Sequence, residues 1–232
     1  MSNYIGGELG LFKQARNWKS YYWGLISPYL GTKVLEVGAG IGANTALFCN
    51  SGYARWMCLE PDPTMGRELN AQIREGKLPS CCEAVVGTVA DMPEAEKFDS
   101  IIYIDVLEHI LDDKEEIQRA LRLLSGDGHL IVLSPAHQFL FSPFDESIGH
   151  FRRYTRKSLS KIVPAKIVTL CYLDAAGMAL SLANRLLLKQ AMPTLPQIQF
   201  WDKRVIPISR IIDRLLSYRV GKSVLGIWQA QR

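Results

Sequence analysis

The 232-residue chain has no C-x-x-C pair among its five cysteines, no internal repeat, no low-complexity linker and no dense run of Lys and Arg. Its cysteines, with Cys81 and Cys82 adjacent, supply neither an even disulfide framework nor the spacing of a structural zinc site, so reduced thiols in a cytoplasmic protein are expected. Lys and Arg number 27 against 23 Asp and Glu, and the net charge of +4 is spread along the chain, which argues against nucleic acid as a partner. Met1 to Lys19 is polar and lacks the apolar segment and small-residue cleavage site of a secretory signal. The most apolar stretch, Leu170 to Leu188, is broken by Asp174, Asn184 and Arg185, too polar and too short to span a membrane. With 48% hydrophobic and 22% charged residues, the composition is that of a globular protein able to bury a sizeable core.

From Lys33 to Ser134 short apolar runs alternate with longer amphipathic ones. Lys33–Val37, Arg55–Glu60, Cys82–Val86, Phe98–Ile104 and His129–Ser134 have the length and continuity of strands buried on both faces. Asn44–Cys49, Asp62–Glu75 and Asp113–Leu124 carry apolar residues at three and four spacing, and Gly126-Asp-Gly128 reads as a stop before the next strand. Such alternation predicts a doubly wound, mostly parallel α/β sheet of seven strands. An aromatic, polar loop (Phe139 to Phe151) follows, then a helix starting near Thr155, then the apolar stretch to Leu188. Pro193, Pro196 and Pro207 punctuate the next part, and Ser223–Gln229 reads as a closing strand. The expected organisation is one domain over 1–232: an N-terminal helical lid (1–30), a core (31–172), a helical cap inserted at 173–221 and a final strand (222–232).

The segment Val34-Leu-Glu-Val-Gly-Ala-Gly-Ile-Gly-Ala-Asn-Thr45 runs from strand through a Gly-rich turn into a helix. Gly38, Gly40 and Gly42 permit positive φ and close approach of a ligand to backbone N–H groups at a helix start. Taken alone, the glycines also satisfy a dinucleotide fingerprint. Glu36 precedes them, and Glu60 ends the second strand, where a carboxylate can accept hydrogen bonds from both ribose hydroxyls. Asp91, after the third strand, is placed to accept from an adenine amino group, and Asp105 follows the fourth.

These residues together resemble a class I S-adenosylmethionine-dependent methyltransferase of the type 11/12 kind. The resemblance runs from Arg16 to Ser134 through Val-Leu-Glu-Val-Gly-Ala-Gly-Ile-Gly, Leu59-Glu-Pro-Asp62, Ala90-Asp-Met-Pro93, Phe98-Asp to Val106-Leu-Glu-His109, and Leu124-Ser-Gly-Asp-Gly-His-Leu-Ile-Val132. It implies S-adenosylmethionine as cofactor. Gly38, Ala39 and Gly40 would line its methionine portion, Glu60 with Pro61 its ribose, and Asp91 with Met92 its adenine, with Asp105 near the ammonium. Ser134-Pro-Ala-His137 and Gly149-His-Phe-Arg-Arg-Tyr-Thr155 resemble a bacterial subgroup associated with polysaccharide or glycolipid assembly. The expected function is therefore methyl transfer to a small-molecule or to a sugar- or lipid-linked acceptor. The competing readings are a non-catalytic adenosine-cofactor-binding protein and a nicotinamide (NAD) oxidoreductase.

On the acceptor side, His109 is the candidate base, since an imidazole can accept a proton at neutral pH. His137, His150, Arg152 and Arg153 are candidate substrate contacts, the arginines for an anionic group. Asp105, Glu108, His109 and His150 also offer the donors of a divalent-metal site, but the reading adopted from sequence is that no metal is bound. The segment Arg16-Asn-Trp-Lys-Ser-Tyr-Tyr22 either folds over the cofactor carboxylate or simply packs. The stretch Leu170 to Leu188, with Arg210 to Arg219, can cap the pocket, mediate dimerisation or rest peripherally on a membrane. Composition leaves these open.

Overall fold

A computed structural model describes residues 7–183 and 192–230. Residues 1–6 of the expected lid, 184–191 of the expected cap and of the apolar stretch, and 231–232 of the expected final strand lie outside the described residues. Seven strands form one sheet: β1 (Lys33–Val37), β2 (Arg55–Glu60), β3 (Cys82–Val86), β4 (Phe98–Ile104), β5 (Leu124–Pro135), β6 (Lys166–Leu173) and β7 (Ser223–Gln229). Their order is β3-β2-β1-β4-β5-β7-β6. β7 runs antiparallel to both its neighbours, and the other pairings are parallel. The helices are α1 (Gly7–Phe12), α2 (Arg16–Ile26), α3 (Thr45–Phe48), α4 (Pro63–Arg74), α5 (Asp113–Arg122), α6 (Pro143–Ser147), α7 (Arg156–Ile162), α8 (Ala175–Ala183), α9 (Leu195–Phe200) and α10 (Ile206–Leu215).

The central strands are apolar throughout because helices cover both their faces. Val34, Trp56, Ile102 and Ile131 point into one core layer, and Leu35, Leu59, Ile101 and Val132 into the other. Local sequence sets the helix starts. Asp62 accepts hydrogen bonds from the N–H groups of Thr64 (2.7 Å) and Met65 (3.0 Å), with Pro63 at the first helical position of α4. Thr155 caps α7 by accepting from Ser158 N.

One expectation needs correction. Gly126-Asp-Gly128 does not stop the chain before a strand. β5 already begins at Leu124, and these residues form a bulge where the pairing with β4 jumps from Phe98↔Leu124 to Ser100↔His129. The first part of the apolar stretch, which the sequence assigned to no element, closes the edge strand β6 up to Leu173. The chain turns at Asp174, whose φ of +65° is a left-handed conformation uncommon outside glycine.

Between β6 and β7 lie α8, α9, a π-helical turn (Trp201–Val205) and α10. They are tied to α2 through buried carboxylates. The residue at the N-cap of α2 is Ala15, which has no side-chain acceptor. Asp202 of the π-turn takes over that role, accepting from Asn17 N (3.2 Å), Asn17 Nδ2 (3.1 Å) and Trp18 N (2.9 Å). Asp213 of α10 accepts from Tyr21 Oη (2.8 Å) and from the N–H groups of Asp174 (2.7 Å) and Ala175 (2.9 Å). Asp202→Ala leaves the N–H groups of Asn17 and Trp18 without their acceptor, and is expected to cost about 1–3 kcal/mol. Urea denaturation checks this; an unchanged midpoint would mean that α2 is held by its aromatic packing alone.

Candidate active site

The strand order reverses between β1 and β4, and in such sheets ligands bind in the crevice beyond the carboxyl ends of the strands at that point. A cavity of about 1650 Å³ occupies this position. That is enough for more than one small molecule. Gly38, Ala39 and Gly40 form its floor, with Glu60, Pro61 and Asp105 at the adjacent strand ends.

The Gly-rich turn is built as the sequence suggests. Gly38 and Gly40 have φ of +66° and +57°. A Cβ on Gly38 would meet Val106 at 2.6 Å, so that glycine is also required by packing. Gly40 N donates to Glu60 Oε2 (2.7 Å) and Asp62 N to Glu60 Oε1 (3.0 Å). Each carboxylate oxygen thus keeps lone-pair capacity on the cavity side, which is the donor-accepting surface a ribose diol requires. Burial raises the Glu60 carboxyl, and the two backbone N–H groups oppose that shift.

Several residues not singled out from sequence also line the cavity. Lys19 of α2 is buried, and its ammonium donates to Asn44 Oδ1 (2.9 Å), which also accepts from Tyr22 Oη (2.9 Å). Burial pushes Lys19 down to about 8, while Glu36 and Asp105 pull it back up. The sequence left Arg16–Tyr22 open between folding over the cofactor carboxylate and packing, and Trp18, Lys19 and Tyr22 of this segment all line the cavity; the capping of α2 by Asp202 holds the segment there. Phe12, Phe144 and Trp201 line the cavity from α1, α6 and the π-turn.

Asp105 sits at the end of β4 with φ +53°, and its N–H donates to Leu133 O (2.8 Å). Its side chain opens into the cavity while protein surrounds the group, and burial pushes its carboxyl up to about 6 against the pull of His150 and Lys19. Next to it Glu108 is fully buried, and burial raises its carboxyl well above the usual range, with Asp105 adding to the shift. His109 has a hydrogen bond with the Gly149 backbone, and burial, with His150 beside it, lowers it to about 4. His109, His150 and Arg153 all line the same cavity as the Gly-rich turn.

Five expected contacts fall elsewhere. Glu36 does not line the cavity: it is buried beneath it, its Oε2 accepting from Thr45 Oγ1 (2.6 Å) and Trp56 Nε1 (2.7 Å). Asp91 does not line it either. Its Oδ2 accepts from Thr88 N and Oγ1, both at 2.8 Å, closing a capping box, and the wall there is formed by Thr88 and Val89. Met92 packs against the core layer that holds Leu35. His137 stacks near Tyr172, with ring centroids 4.6 Å apart, outside the cavity lining. Arg152 pairs with Asp113 (2.7 Å) and donates to Leu111 O. Arg153 does reach the cavity, but its Nε and Nη2 each donate to Asp145 at 2.8 Å, so its fork is committed to a carboxylate of the protein.

Sheet order, Gly-rich turn and acidic strand ends are arranged as in the class I methyltransferase fold. Residues 35–132 match the methyltransferase domain family. Ajmaline N-methyltransferase of Rauvolfia serpentina is 24% identical over 196 residues, which are 84% of this chain and 61% of that protein, so the chain spans about three fifths of the length of this curated relative. Among solved structures, coclaurine N-methyltransferase bound to N-methylheliamine and S-adenosylhomocysteine is 15% identical with a TM-score of 0.63, covering 93% of this chain and 72% of its own. The N-methyltransferase NodS of Bradyrhizobium japonicum WM9 in complex with S-adenosylhomocysteine gives 15%, 0.59, 94% and 87%. The [4+2]-cyclase SpnF gives 13%, 0.64, 98% and 95%. At these identities the structural likeness shows the fold. Residues 35–132 thus match the methyltransferase domain family, and the fold is that of the class I S-adenosylmethionine-dependent methyltransferases. Among the described residues no helix is long and apolar enough to cross a membrane.

Proposed function

We propose that the chain transfers the methyl group of S-adenosylmethionine to a small-molecule acceptor, with the sugar- and lipid-linked acceptors of the resembling bacterial subgroup within that class. One observation carries the reading: the Gly-rich turn with Glu60 and the wall made by Asp105, His109 and His150 face a single continuous cavity. Glu60 and Pro61 would hold the ribose, Gly38 to Gly40 the methionine portion, and Lys19 with Asn44 its carboxylate. The bound cofactor supplies an electrophilic sulfonium methyl group. The chain's own residues position and desolvate the acceptor, which for an in-line displacement is the larger part of the task. His109 faces the acceptor in its neutral form. With a pKa lowered to about 4 it is a weak base, so acceptor orientation outweighs proton removal in its contribution.

Calorimetric titration with S-adenosylhomocysteine and with NAD tests the cofactor side, and transfer of labelled methyl to candidate acceptors tests the reaction. Preference for NAD would overturn the reading; binding without transfer to any acceptor would favour a non-catalytic role. The titration has a further expected outcome. An anionic carboxylate beside Lys19 raises its pKa from about 8 toward its ordinary value. Above pH 8 the free protein has lost that proton, so binding must take one up, and affinity falls by up to about tenfold per pH unit. At pH 8.5 the apparent enthalpy should therefore differ between buffers of different ionisation enthalpy in proportion to proton uptake. Equal enthalpies in both buffers would move the carboxylate away from Lys19.

A further inference from the structure

Glu108, His109 and His150 each place one donor atom within 4.8 Å of the other two, at the wall of the cavity. Glu108 is fully buried, and neither of its carboxylate oxygens has a partner within hydrogen-bonding geometry, although the Ser134 hydroxyl and its own backbone N–H act on the carboxyl against burial. A buried carboxyl left in this state is costly. Its oxygens face a donor set. His150 Nε2 stands 3.7 Å from Glu108 Oε1, and the His150 side chain is only 5% exposed. The ring is fixed from behind, because Nδ1 bonds to Asp145 Oδ1 at 2.8 Å, and Asp145 is held in turn by the fork of Arg153. A carboxylate that orients one imidazole nitrogen and leaves the other aimed at a common point is the arrangement that supports metal ligation. His109 meets His150 edge to face, with centroids 4.5 Å apart and planes at 81°.

We propose that Glu108, His109 and His150 form a binding site for a divalent first-row transition-metal cation, which the reading from sequence did not adopt. Two imidazoles and one carboxylate suit Mn²⁺, Fe²⁺, Co²⁺ or Zn²⁺ better than Ca²⁺ or Mg²⁺, whose ligands are predominantly oxygen. Two donors each about 2.1 Å from one cation stand about 3.0–3.4 Å apart in cis-octahedral or tetrahedral geometry. The Glu108 and His150 atoms, 3.7 Å apart, need to close by only a few tenths of an ångström, and a pair at the outer limit of 4.8 Å by about 1.4 Å. Three protein ligands on a cavity wall leave positions open toward the cavity. Resting on the methyl-transfer reading, those positions would receive an acceptor through an oxygen atom, orienting it and lowering its pKa.

The test is titration of chelator-treated protein with Mn²⁺, followed by the electron paramagnetic resonance signal of the free ion, and with Co²⁺, followed by its visible spectrum. One Mn²⁺ per chain is expected, with affinity lowered at least tenfold in Glu108→Gln and in His150→Asn. Both variants should keep their affinity for S-adenosylhomocysteine, which reports a folded crevice. If Glu108→Gln fails to fold, His150→Asn and His109→Asn carry the comparison. Wild type that binds S-adenosylhomocysteine but neither cation overturns the metal site alone, and failure to bind S-adenosylhomocysteine falls on the methyl-transfer reading instead. Undiminished Mn²⁺ binding in the variants also overturns the proposal. So does intense thiolate-to-cobalt charge transfer, which would place the cation at the other donor cluster, Cys49, Cys81 and Cys82.

Discussion

Glu60→Ala is expected to weaken S-adenosylhomocysteine binding by about 100-fold or more, while the protein still melts cooperatively. In the proposed role the carboxylate accepts from the two ribose hydroxyls, and it braces the Gly-rich turn through its bonds from Gly40 N and Asp62 N. Hydrogen bonds to a charged group are worth about 1.5–3 kcal/mol each. Loss of two therefore corresponds to roughly two decades of affinity or more. The substitution releases a buried N–H at Gly40 and a part-buried one at Asp62, so stability also falls, by about 1–3 kcal/mol. Glu60→Gln separates the two roles. Its amide oxygen can still brace one N–H of the turn, but its NH₂ donates where the ribose needs an acceptor, so binding should stay weak. Titration calorimetry reads both variants; affinity within threefold of wild type in both would remove Glu60 from the cofactor site.

Gly40 shows why the turn itself is a poorer target. Its φ of +57° disfavours any side chain, and a Cβ there would meet Leu9 Cδ1 at 3.3 Å. Any substitution strains the backbone and disturbs the contact with Leu9, so a loss of binding would not distinguish ligand contact from turn distortion.

The parts of the fold visible in the sequence are those dictated by local burial. β1, β2, β4 and β7 have the limits expected from their apolar runs, because strands covered on both faces need continuous apolar residues, and β3, at one edge of the sheet, keeps a short apolar run with the expected limits. β6, at the other edge, was hidden because its first part is exposed through Lys166, Ile167 and Val168 and it runs into α8 with no glycine or proline between them. The break is made by Asp174, held at φ +65° by hydrogen bonds that no local pattern announces: Gly177 N (2.9 Å) donates to its Oδ1 and Trp201 Nε1 (2.8 Å) to its Oδ2. The site divides in the same way. Gly38 to Gly40 and Glu60 are legible because strand end and turn place them. Asp91 and Arg153 were given ligand roles because a charged side chain near a strand end has the right chemistry, but Asp91 Oδ2 and the Nε–Nη2 edge of Arg153 are taken up within the protein. Lys19 could not be placed, since its position depends on contacts between residues more than 180 apart in sequence.

Asp145→Ala is expected to lower the melting temperature by about 6–20 °C, the largest effect on stability among these substitutions. Asp145 is fully buried in α6, and it accepts from Arg153 Nε and Nη2, from His150 Nδ1 and from Ser142 N (2.9 Å) and Oγ (2.8 Å). Arg153 and His150 together hold the Asp145 carboxyl well below the usual carboxylate range, so the group is ionised wherever the protein is folded. Removing it leaves the Arg153 guanidinium, whose side chain is only 13% exposed, without a counter-charge. Uncompensated buried charge costs about 3–5 kcal/mol, more than an exposed ion pair contributes. The same substitution opens the capping box at Ser142 and frees the His150 ring to turn away from Glu108. These causes can be separated. In Asp145→Leu combined with Arg153→Met, no unpaired charge remains and the volume is largely refilled, so more than half of the lost melting temperature should return. Calorimetry on the single and double variants decides: a double variant no more stable than Asp145→Ala would assign the loss to the Ser142 cap and the His150 contact, and leave Arg153 a minor part.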